Sequence, residues 1–252
     1  MAKLIVLGSS NAIPTRDHEN THLAILCQNQ TVLIDCPGNP IVRLEQAGID
    51  PLTITHVILT HFHPDHVSGV PLLLMDLWLM GRRAPLNIYG LDYTLERVKA
   101  MMELYGWSDW PNFFPVNFYC VSMDEMATMF DTEDVRVYST PVKHLLPSIG
   151  LRIELKAEGK AIAYSCDTEP CVEVERLAQG ADILLHEASG PFTGHSSAAQ
   201  AGDVARRAEV GALYLIHYPT GRYASGDLVA EAKAHFPGNI HLATDLMEIN
   251  LE

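Results

Sequence analysis

The sequence has no apolar run long enough to cross a bilayer. Its most apolar stretch, residues 70–80, is interrupted by Asp76 and is far shorter than the roughly 20 residues that a membrane-spanning helix needs. At the amino terminus, the apolar residues 4–7 are too few for the core of a secretory signal peptide. We therefore expect a soluble protein that does not associate with membranes.

Basic residues are also scarce. The chain of 252 residues has 17 Lys and Arg against 31 Asp and Glu, which gives a formal net charge of −14. A charge of this sign repels nucleic acids and anionic membrane surfaces unless bound cations offset it. This balance disfavours a nucleic acid as the partner, although two bound divalent metals would offset part of the charge locally.

The few cysteines do not form a recognisable framework. There are five, an odd number, and none has the spacing of a zinc finger. In a chain of this size that pattern indicates reduced thiols, and hence a cytoplasmic location. Cys166 lies next to a candidate site residue, Asp167, and we interpret it as a small buried residue at a strand end.

No repeat, low-complexity tract or linker marks a domain boundary, so we expect residues 1–252 to form a single domain. Short apolar runs bounded by turn residues predict strands at 3–8, 22–27, 31–35, 57–60, 86–89, 135–139, 149–155, 161–165, 183–186 and 213–217. Helical spacing predicts helices near 172–178, 198–208 and 228–236. The pattern predicts an α/β fold of two sheets faced by helices.

Several of these apolar runs end in a side chain that can bind metal. The residues in this position are His61, Asp167, His186 and His217. Binding groups in α/β proteins lie where strands run out into loops. We therefore expect these residues to lie at one functional site.

The segment His61-Phe62-His63-Pro64-Asp65-His66 has four metal-competent residues within six positions. His61 and His63 are two apart, so in an extended segment both imidazoles project to the same side and can bind one ion. Asp65 and His66 fall at the expected start of a helix over residues 67–80 and point from another angle, towards a second ion. Imidazole and carboxylate without thiolate suit zinc, while manganese and iron remain open.

This segment matches in full the motif His-x-His-x-Asp-His, and the chain resembles the metallo-β-lactamase superfamily over nearly its whole length. Asp35, His144, Asp167 and His217 match the first, third, fourth and fifth motifs of that superfamily. The resemblance implies an αβ/βα sandwich, in which two facing mixed sheets have helices on their outer faces.

The resemblance also implies two zinc ions and their ligands, namely His61, His63 and His144 for the first ion and Asp65, His66 and His217 for the second. It implies that Asp167 bridges the two ions. Asp35 is implied to orient the ligands from behind, without binding metal itself.

Within the superfamily the chain looks most like ribonuclease Z and its phosphodiesterase relatives. The stretches that carry this likeness are residues 81–90, His186-Glu187-Ala188, His195-Ser196-Ser197 and residues 217–223. Ser197 stands where that family has Thr. Many bacterial members carry a tRNA-binding arm between the third-motif His and the bridging Asp. Here His144 and Asp167 enclose only two strand-like runs, which predicts a short form without the arm.

The implied mechanism uses a hydroxide that bridges the two metals, because divalent cations lower the pKa of bound water to about 7. We expect His186, held by Glu187, to donate a proton to the leaving oxygen, with a hydrogen-bonded core histidine as the alternative reading of His186. His195 belongs either to the site or to the cap of the following helix. Asp65 is expected to be a ligand and a possible base.

We expect a zinc-dependent phosphodiesterase acting on small substrates. The alternatives are a tRNA 3′-processing endonuclease, a hydrolase of another ester such as a sulfate ester, thioester or lactone, and a metal-binding protein without catalysis. The aromatic-rich residues 107–119 could line a substrate pocket or form a lid, or could be a hydrophobic plug or dimer contact. We expect a homodimer.

Overall fold

The first of two sheets contains seven strands in the computed structural model, which describes residues 2–251. From one edge to the other they are β14 (Met247–Asn250), β1 (Lys3–Gly8), β2 (His22–Leu26), β3 (Thr31–Ile34), β4 (His56–Leu59), β5 (Leu86–Leu91) and β6 (Val116–Val121). The pairs from β14 to β3 are antiparallel, and those from β3 to β6 are parallel.

The second sheet also has seven strands. In order they are β13 (Asn239–Leu242), β12 (Ala212–Ile216), β11 (Ile183–Glu187), β10 (Lys160–Tyr164), β9 (Ser148–Leu155), β8 (Val135–Val142) and β7 (Ala127–Asp131). The pairs between β10 and β13 are parallel and those between β7 and β10 are antiparallel. Both sheets are therefore mixed, as expected.

Helices cover the outer face of each sheet. They are α1 (Pro40–Gln46), α2 (Pro64–Val67), α3 (Val70–Leu79), α4 (Asp92–Leu104), α5 (Val172–Ala178), α6 (Ala198–Arg207) and α7 (Leu228–Lys233). Short 3-10 turns lie at Pro51–Thr53, Trp107–Asp109 and Gly221–Tyr223. In residues 2–251 none of the helices has the length and apolar character that a bilayer crossing needs.

Three apolar clusters hold these layers together. The central cluster lies between the sheets and joins residues such as Ile34 and Ile58 to Ile153 and Leu185. A second cluster packs the outer face of the first sheet against α1, α3 and α4, and a third packs the second sheet against α5, α6 and α7. The arrangement is helix, sheet, sheet, helix, which confirms the expected sandwich.

The helix expected over residues 67–80 is interrupted. Its first turn, α2, ends at Val67, and α3 begins at Val70. Between them the backbone N–H of Gly69 donates to the carbonyl of Cys36 at 2.8 Å, and a Cβ on Gly69 would lie 2.7 Å from the carbonyl oxygen of Pro37. The close approach of another chain segment therefore breaks the helix.

The interval between His144 and Asp167 is a hairpin, as expected. Strands β9 and β10 pair in antiparallel register from Leu155 opposite Lys160, and the turn includes Gly159 with φ of +64°. This leaves no inserted arm at that point of the fold.

The aromatic-rich segment packs outside the first sheet. Trp107, Trp110, Phe113 and Phe118 join the outer cluster, and the ring of Trp110 stacks on Trp78 of α3 at a centroid distance of 5.2 Å. Of the alternatives named for residues 107–119, this placement agrees with a hydrophobic plug that packs against the rest of the molecule.

Candidate metal centre

The candidate residues follow the carboxyl ends of strands. Asp35 follows β3, His61 follows β4, Asp167 follows β10 and His217 follows β12. Parallel strands of one sheet end at the same edge, so the loops that follow them meet there. The structure brings these residues together with the other candidate ligands and His195, which lie in α2 and in the loops after β4, β8 and β11.

The backbone turns sharply at three of these strand ends. Asp35, Cys166 and His217 have φ values of 61°, 55° and 52°, in the left-handed region that residues with a side chain rarely adopt. Each such residue costs about 1 to 3 kcal/mol, and such strain concentrates at functional sites. The turns direct the side chains of Asp35, His217 and Asp167, which follows Cys166, towards a common centre.

Three imidazoles form a first cluster. Nε2 of His61 lies 3.0 Å from Nδ1 of His63, and the same Nδ1 lies 3.1 Å from Nε2 of His144. Burial lowers the pKa of all three side chains. The neutral imidazole is the form that binds a metal, so the cluster is suited to one divalent ion.

A second cluster consists of Asp65, His66, Asp167 and His217, whose candidate ligand atoms lie within 4.8 Å of one another. Nε2 of His217 is 3.6 Å from the Asp65 carboxylate and 3.3 Å from that of Asp167. The buried Nε2 atoms of His66 and His217 and Oδ1 of Asp167 have no hydrogen-bond partner within the described chain. Buried polar atoms without a partner are rare in proteins, and this donor set fits a divalent cation.

Asp167 lies between the two clusters. Its Oδ2 is 3.9 Å from Nε2 of His61 in the first cluster and 3.5 Å from Nε2 of His66 in the second. Burial alone would raise the pKa of Asp167, but the charges of His217 and His66 outweigh it and hold the pKa well below its usual range. An ionised carboxylate at this place can contact an ion in either cluster.

Asp35 orients one candidate ligand, His66, through a hydrogen bond. Its Oδ2 accepts a hydrogen bond from Nδ1 of His66 at 2.8 Å, which leaves Nε2 of His66 facing the second cluster. Thr60 donates to the same carboxylate from its backbone N–H and its hydroxyl, at 2.8 to 3.0 Å. These contacts fit the orienting role that the resemblance implies for Asp35.

Two further orienting contacts were not foreseen from the sequence. Ser189 Oγ lies 2.8 Å from Nδ1 of His217, and the Gly194 carbonyl accepts from Nδ1 of His144 at 2.7 Å. Each contact turns Nε2 of the histidine towards its cluster. The sequence does not indicate these contacts, because a serine hydroxyl or a backbone carbonyl can be supplied by any loop of suitable shape.

His195 and Glu187 form a hydrogen-bonded pair beside both clusters, in which the Glu187 side chain is buried and the His195 ring is partly exposed. Nδ1 of His195 donates to Oε1 of Glu187 at 2.9 Å, and the backbone N–H groups of Thr168, Ser196 and Ser189 also donate to this carboxylate. Burial lowers the pKa of His195, but the Glu187 carboxylate outweighs this and the net direction is upwards. His195 does not cap α6, because Ser197 and Gln200 form a capping box there.

The expectation that Glu187 holds His186 is wrong. Nδ1 of His186 donates to the backbone carbonyl of Glu187 at 2.8 Å, while the Glu187 side chain binds His195. His186 is completely buried, and burial lowers its pKa to about 4. It does not line the cavity over the clusters, so the structure supports the alternative reading of a core histidine.

A cavity of about 550 Å³ opens over the two clusters. Its walls include Asp65, Asp167, His195 and His217 on the floor side and Ile13, Phe192, Pro219 and Tyr223 around the mouth. Within residues 2–251 neither a Lys nor an Arg lines it. The arrangement places two clusters of potential metal ligands and the His195–Glu187 pair around a space large enough for a small ester.

Comparison with known proteins identifies the family. Residues 2–227 match the family model described as "Anti-Pycsar protein Apyc1". The chain belongs to the Apyc1 family. It is also 28% identical to a protein named ribonuclease Z from Methanothermobacter thermautotrophicus, in an alignment of 308 positions that covers all of this chain and 97% of the relative. The alignment is longer than the chain, so the relative carries insertions that this Apyc1-family member lacks.

Solved structures share the fold. The metallo-β-lactamase fold protein YhfI from Bacillus subtilis has a TM-score of 0.81 at 21% identity, with 98% of both chains covered. The short form of human tRNase Z has a TM-score of 0.81 at 23% identity, with 99% of both chains covered. The Apyc1-family chain therefore has the metallo-β-lactamase fold in its short, ribonuclease Z-like form. Together with the relatives named ribonuclease Z, this makes it a metal-dependent hydrolase of the phosphodiesterase type.

Proposed function

We propose that this protein is a phosphodiesterase that hydrolyses small phosphodiesters with two bound zinc ions. The observation that carries the proposal is the convergence of two metal-ligand clusters and the His195–Glu187 pair on one cavity. A phosphodiester has one negative charge, shared by two non-bridging oxygens, to neutralise and one leaving oxygen to protonate. The cavity offers a group for each of these tasks.

The proposed ligands are His61, His63 and His144 for one ion and Asp65, His66 and His217 for the other, with Asp167 between them. Zinc suits these donors, and manganese or iron are the alternatives. When bound, two such cations lower the pKa of water and neutralise charge on the phosphate. The adjacent imidazoles of His217 and His66 outweigh burial and lower the pKa of Asp65, which favours a ligand over a base.

Metal content tests this assignment. We expect two zinc ions per chain by elemental analysis of protein purified without chelator, and close to one after His217→Ala or His63→Ala. His241→Ala removes an exposed histidine of β13 and should leave two. Full metal content in both ligand variants would contradict the assignment.

His195 is the proposed general acid. Its Nδ1 is held by Glu187, which leaves Nε2 free to donate to the oxygen of the breaking P–O bond. The raised pKa favours the protonated ring that this step needs. Proton donation of this kind contributes about 10²- to 10⁴-fold to a rate.

Small diesters fit better than tRNA. The hairpin of β9 and β10 occupies the place of an RNA-binding arm, and the net charge is −14. Polynucleotide binding draws its affinity from several Lys and Arg contacts to phosphates, each of which adds to the salt dependence. The cavity walls in residues 2–251 include neither residue.

A tRNA 3′-processing endonuclease is the second candidate, because the chain matches 97% of a protein named ribonuclease Z and 99% of the short form of human tRNase Z. Side-by-side kcat/KM values at fixed salt decide between the two. We expect hydrolysis of bis(nitrophenyl) phosphate and of a cyclic nucleotide. Precursor tRNA should be cut at least ~10²-fold less efficiently than by an arm-bearing enzyme, which corresponds to roughly 3 kcal/mol of lost transition-state stabilisation.

Efficient cutting after the discriminator nucleotide would establish the endonuclease instead. Sulfate-ester, thioester and lactone probes belong in the same panel, since one scaffold hosts many chemistries. A clear preference for one of these over every phosphodiester would overturn the proposed function.

A further inference from the structure

Two loops of the candidate metal centre are joined through a third segment of the chain. His144 lies in the loop after β8, and His195 lies in the loop between β11 and α6. The segment Thr168-Glu169 directly follows the candidate ligand Asp167 and makes hydrogen bonds to both loops. Its contacts therefore affect how a metal ligand and the proposed acid lie relative to each other.

The first set of contacts is with the loop of His144. The backbone N–H of Glu169 donates to the carbonyl of Lys143 at 2.8 Å, and the backbone N–H of Lys143 donates to the hydroxyl of Thr168 at 3.1 Å. Neither hydrogen bond uses the side chain of residue 169. Lys143 also forms an exposed ion pair with the Glu169 carboxylate, through Oε2. The segment is thus held against the ligand loop whatever side chain residue 169 carries.

The second set of contacts is with the loop of His195. The hydroxyl of Ser196 donates to the carbonyl of Thr168 at 2.7 Å, and Oε1 of Glu169 accepts from the backbone N–H of Gly194 at 3.0 Å. Gly194 is buried, and within residues 2–251 its N–H has no other acceptor. A buried N–H without an acceptor is unfavourable, so the Glu169 side chain stabilises this conformation of the loop.

Gly194 is also where the acid loop meets the metal ligand. Its carbonyl accepts from Nδ1 of His144 at 2.7 Å, while Nε2 of His144 faces the first cluster. Gly194 has φ of +84°, and a Cβ there would lie 3.0 Å from Nδ1 of His144, so glycine permits this approach. The next residue is His195, whose ring lies 5.1 Å from that of His144. A shift of Gly194 would therefore move the orienting carbonyl and the proposed acid together.

We propose that Glu169 is a positioning residue that fixes a metal ligand and the proton donor relative to each other. Through the N–H of Gly194, its carboxylate holds the carbonyl that orients His144 and the backbone from which His195 reaches the cavity. Glu169 itself does not line the cavity over the clusters. The inference rests on the proposed function, from which it takes the roles of His144 and His195.

Two substitutions at residue 169 separate the hydrogen bond from the charge. Glu169→Gln keeps an oxygen that can accept from Gly194 and loses only an exposed ion pair with Lys143, which contributes little. Glu169→Asp keeps the charge but is one methylene shorter, which withdraws the carboxylate from Gly194. The proposal predicts that the Gln variant resembles the parent and that the Asp variant does not.

Glu175→Asp is the matched control. The side chain of Glu175 is 22% exposed and pairs with Arg207, whereas that of Glu169 is 25% exposed and pairs with Lys143. The control therefore shortens a similarly exposed carboxylate that has no hydrogen bond to either loop of the site within residues 2–251. We expect it to resemble the parent in every measurement.

Two measurements test the positioning role without turnover. Hydrogen exchange of the metal-free protein reports on the loop, and the amides of residues 190–196 should exchange at least about fivefold faster in Glu169→Asp than in the parent. Competition with a chelator reports on the ligand His144. Glu169→Asp should bind one zinc ion about tenfold more weakly, which is the effect expected when a contact behind a ligand is loosened.

Kinetics at saturating zinc test the effect on the proposed acid. We expect Glu169→Asp to lower kcat on a cyclic nucleotide about tenfold, less than loss of the acid itself, because Glu187 still holds the His195 ring. On bis(nitrophenyl) phosphate kcat should fall by less than about twofold, since nitrophenolate leaves without protonation. A merely structural role would lower both rates equally.

A parental zinc affinity or a parental ratio of the two kcat values in Glu169→Asp would overturn the proposal, which requires both to change. Equal impairment in Glu169→Gln would overturn it as well, because charge and not the hydrogen bond would then be the cause. The same effects in Glu175→Asp would trace them to general stability. If the parent hydrolyses neither diester, the proposed function fails, and the exchange and zinc measurements still decide whether Glu169 acts on His144 through Gly194.

Discussion

Several histidines of the candidate metal centre are oriented by a hydrogen bond at the nitrogen that faces away from the clusters. Asp35 holds Nδ1 of His66 and Ser189 holds Nδ1 of His217, so the Nε2 atoms of both face the second cluster. By the same criterion His195 is different, because a buried carboxylate holds it and its pKa is raised. These contacts distinguish the histidines proposed as metal ligands from the one proposed as the proton donor.

At the residue scale, we predict that His195→Gln lowers kcat by about 10² on a diester with a poor leaving group, such as a cyclic nucleotide. The effect on bis(nitrophenyl) phosphate should be small, because nitrophenolate leaves without protonation. Metal content, measured in parallel, should not change. His186→Gln is the control, since that side chain is buried away from the cavity. If His186→Gln instead lowers kcat selectively on the diester with the poor leaving group, His186 would be the proton donor, as the sequence first indicated.

At the scale of elements, the partly buried carboxylate of Asp245 holds the loop between β1 and β2 against the carboxyl-terminal segment. Asp245 accepts hydrogen bonds from the N–H and hydroxyl of Ser9, at 3.0 and 2.6 Å, and from the N–H of Glu19 at 2.8 Å. It also pairs with Arg43 of α1. Both ends of the loop are therefore held, and its middle presents Ile13 to the active-site cavity.

We predict that Asp245→Asn lowers the free energy of unfolding by about 2 kcal/mol, because an amide nitrogen in place of one carboxylate oxygen cannot accept from Arg43 or from the N–H of Glu19. KM for a small diester should rise as the loop loosens. The control is Glu248→Gln, which breaks an exposed pair with Lys3 on the neighbouring strand and should cost less than about 1 kcal/mol. Urea denaturation and steady-state kinetics measure both effects. Equal stability losses in the two variants would show that Asp245 has no special role.

At the scale of the whole molecule, the two sheets meet at a buried histidine. The ring of His56 on β4 stacks on Phe130 of β7 at 4.5 Å and lies 5.7 Å from the ring of Tyr89. Burial lowers the pKa of His56 to about 4. The ring is therefore neutral in the folded protein at neutral pH and contributes to the contact between the sheets as an aromatic surface.

This pKa predicts a dependence of stability on pH. Above about pH 6.5 His56 is neutral in both the folded and the unfolded chain, so its contribution is fully present. As the pH falls towards about 4, the unfolded chain takes up a proton that the folded chain does not, and stability is lost. The loss should stay below about 3 kcal/mol, because partial contact with solvent screens the charge.

His56→Phe keeps an aromatic ring between the sheets and removes the proton site. We expect metal-free variant and parent to differ progressively in urea stability between pH 7 and pH 4.5, with the variant losing less. The difference isolates His56, because His22 and His186, whose pKa values burial also lowers to about 4, are common to both proteins. If the free energies of unfolding of the two proteins change equally with pH over this range, the pH dependence does not come from His56.

The sequence alone determined the features that depend on short spacing. The candidate ligands of residues 61–66 are close in the chain, so an extended segment and one helical turn are enough to direct them to neighbouring sites. The same holds for the hairpin between His144 and Asp167, whose two strands are joined by a short turn. The sandwich followed from apolar runs that end in functional residues, together with the resemblance.

Only the tertiary structure decided which side chains face each other. His186 and Glu187 are adjacent on β11, which suggested a pair, but successive side chains of a strand point to opposite faces of the sheet. Glu187 therefore meets His195 from a loop, and His186 enters the core. The break at Gly69 and the contacts of Asp245 with Ser9 also join segments that are distant in the chain. Contacts between distant segments depend on how the two layers pack, so they cannot be predicted from the spacing of residues along the chain.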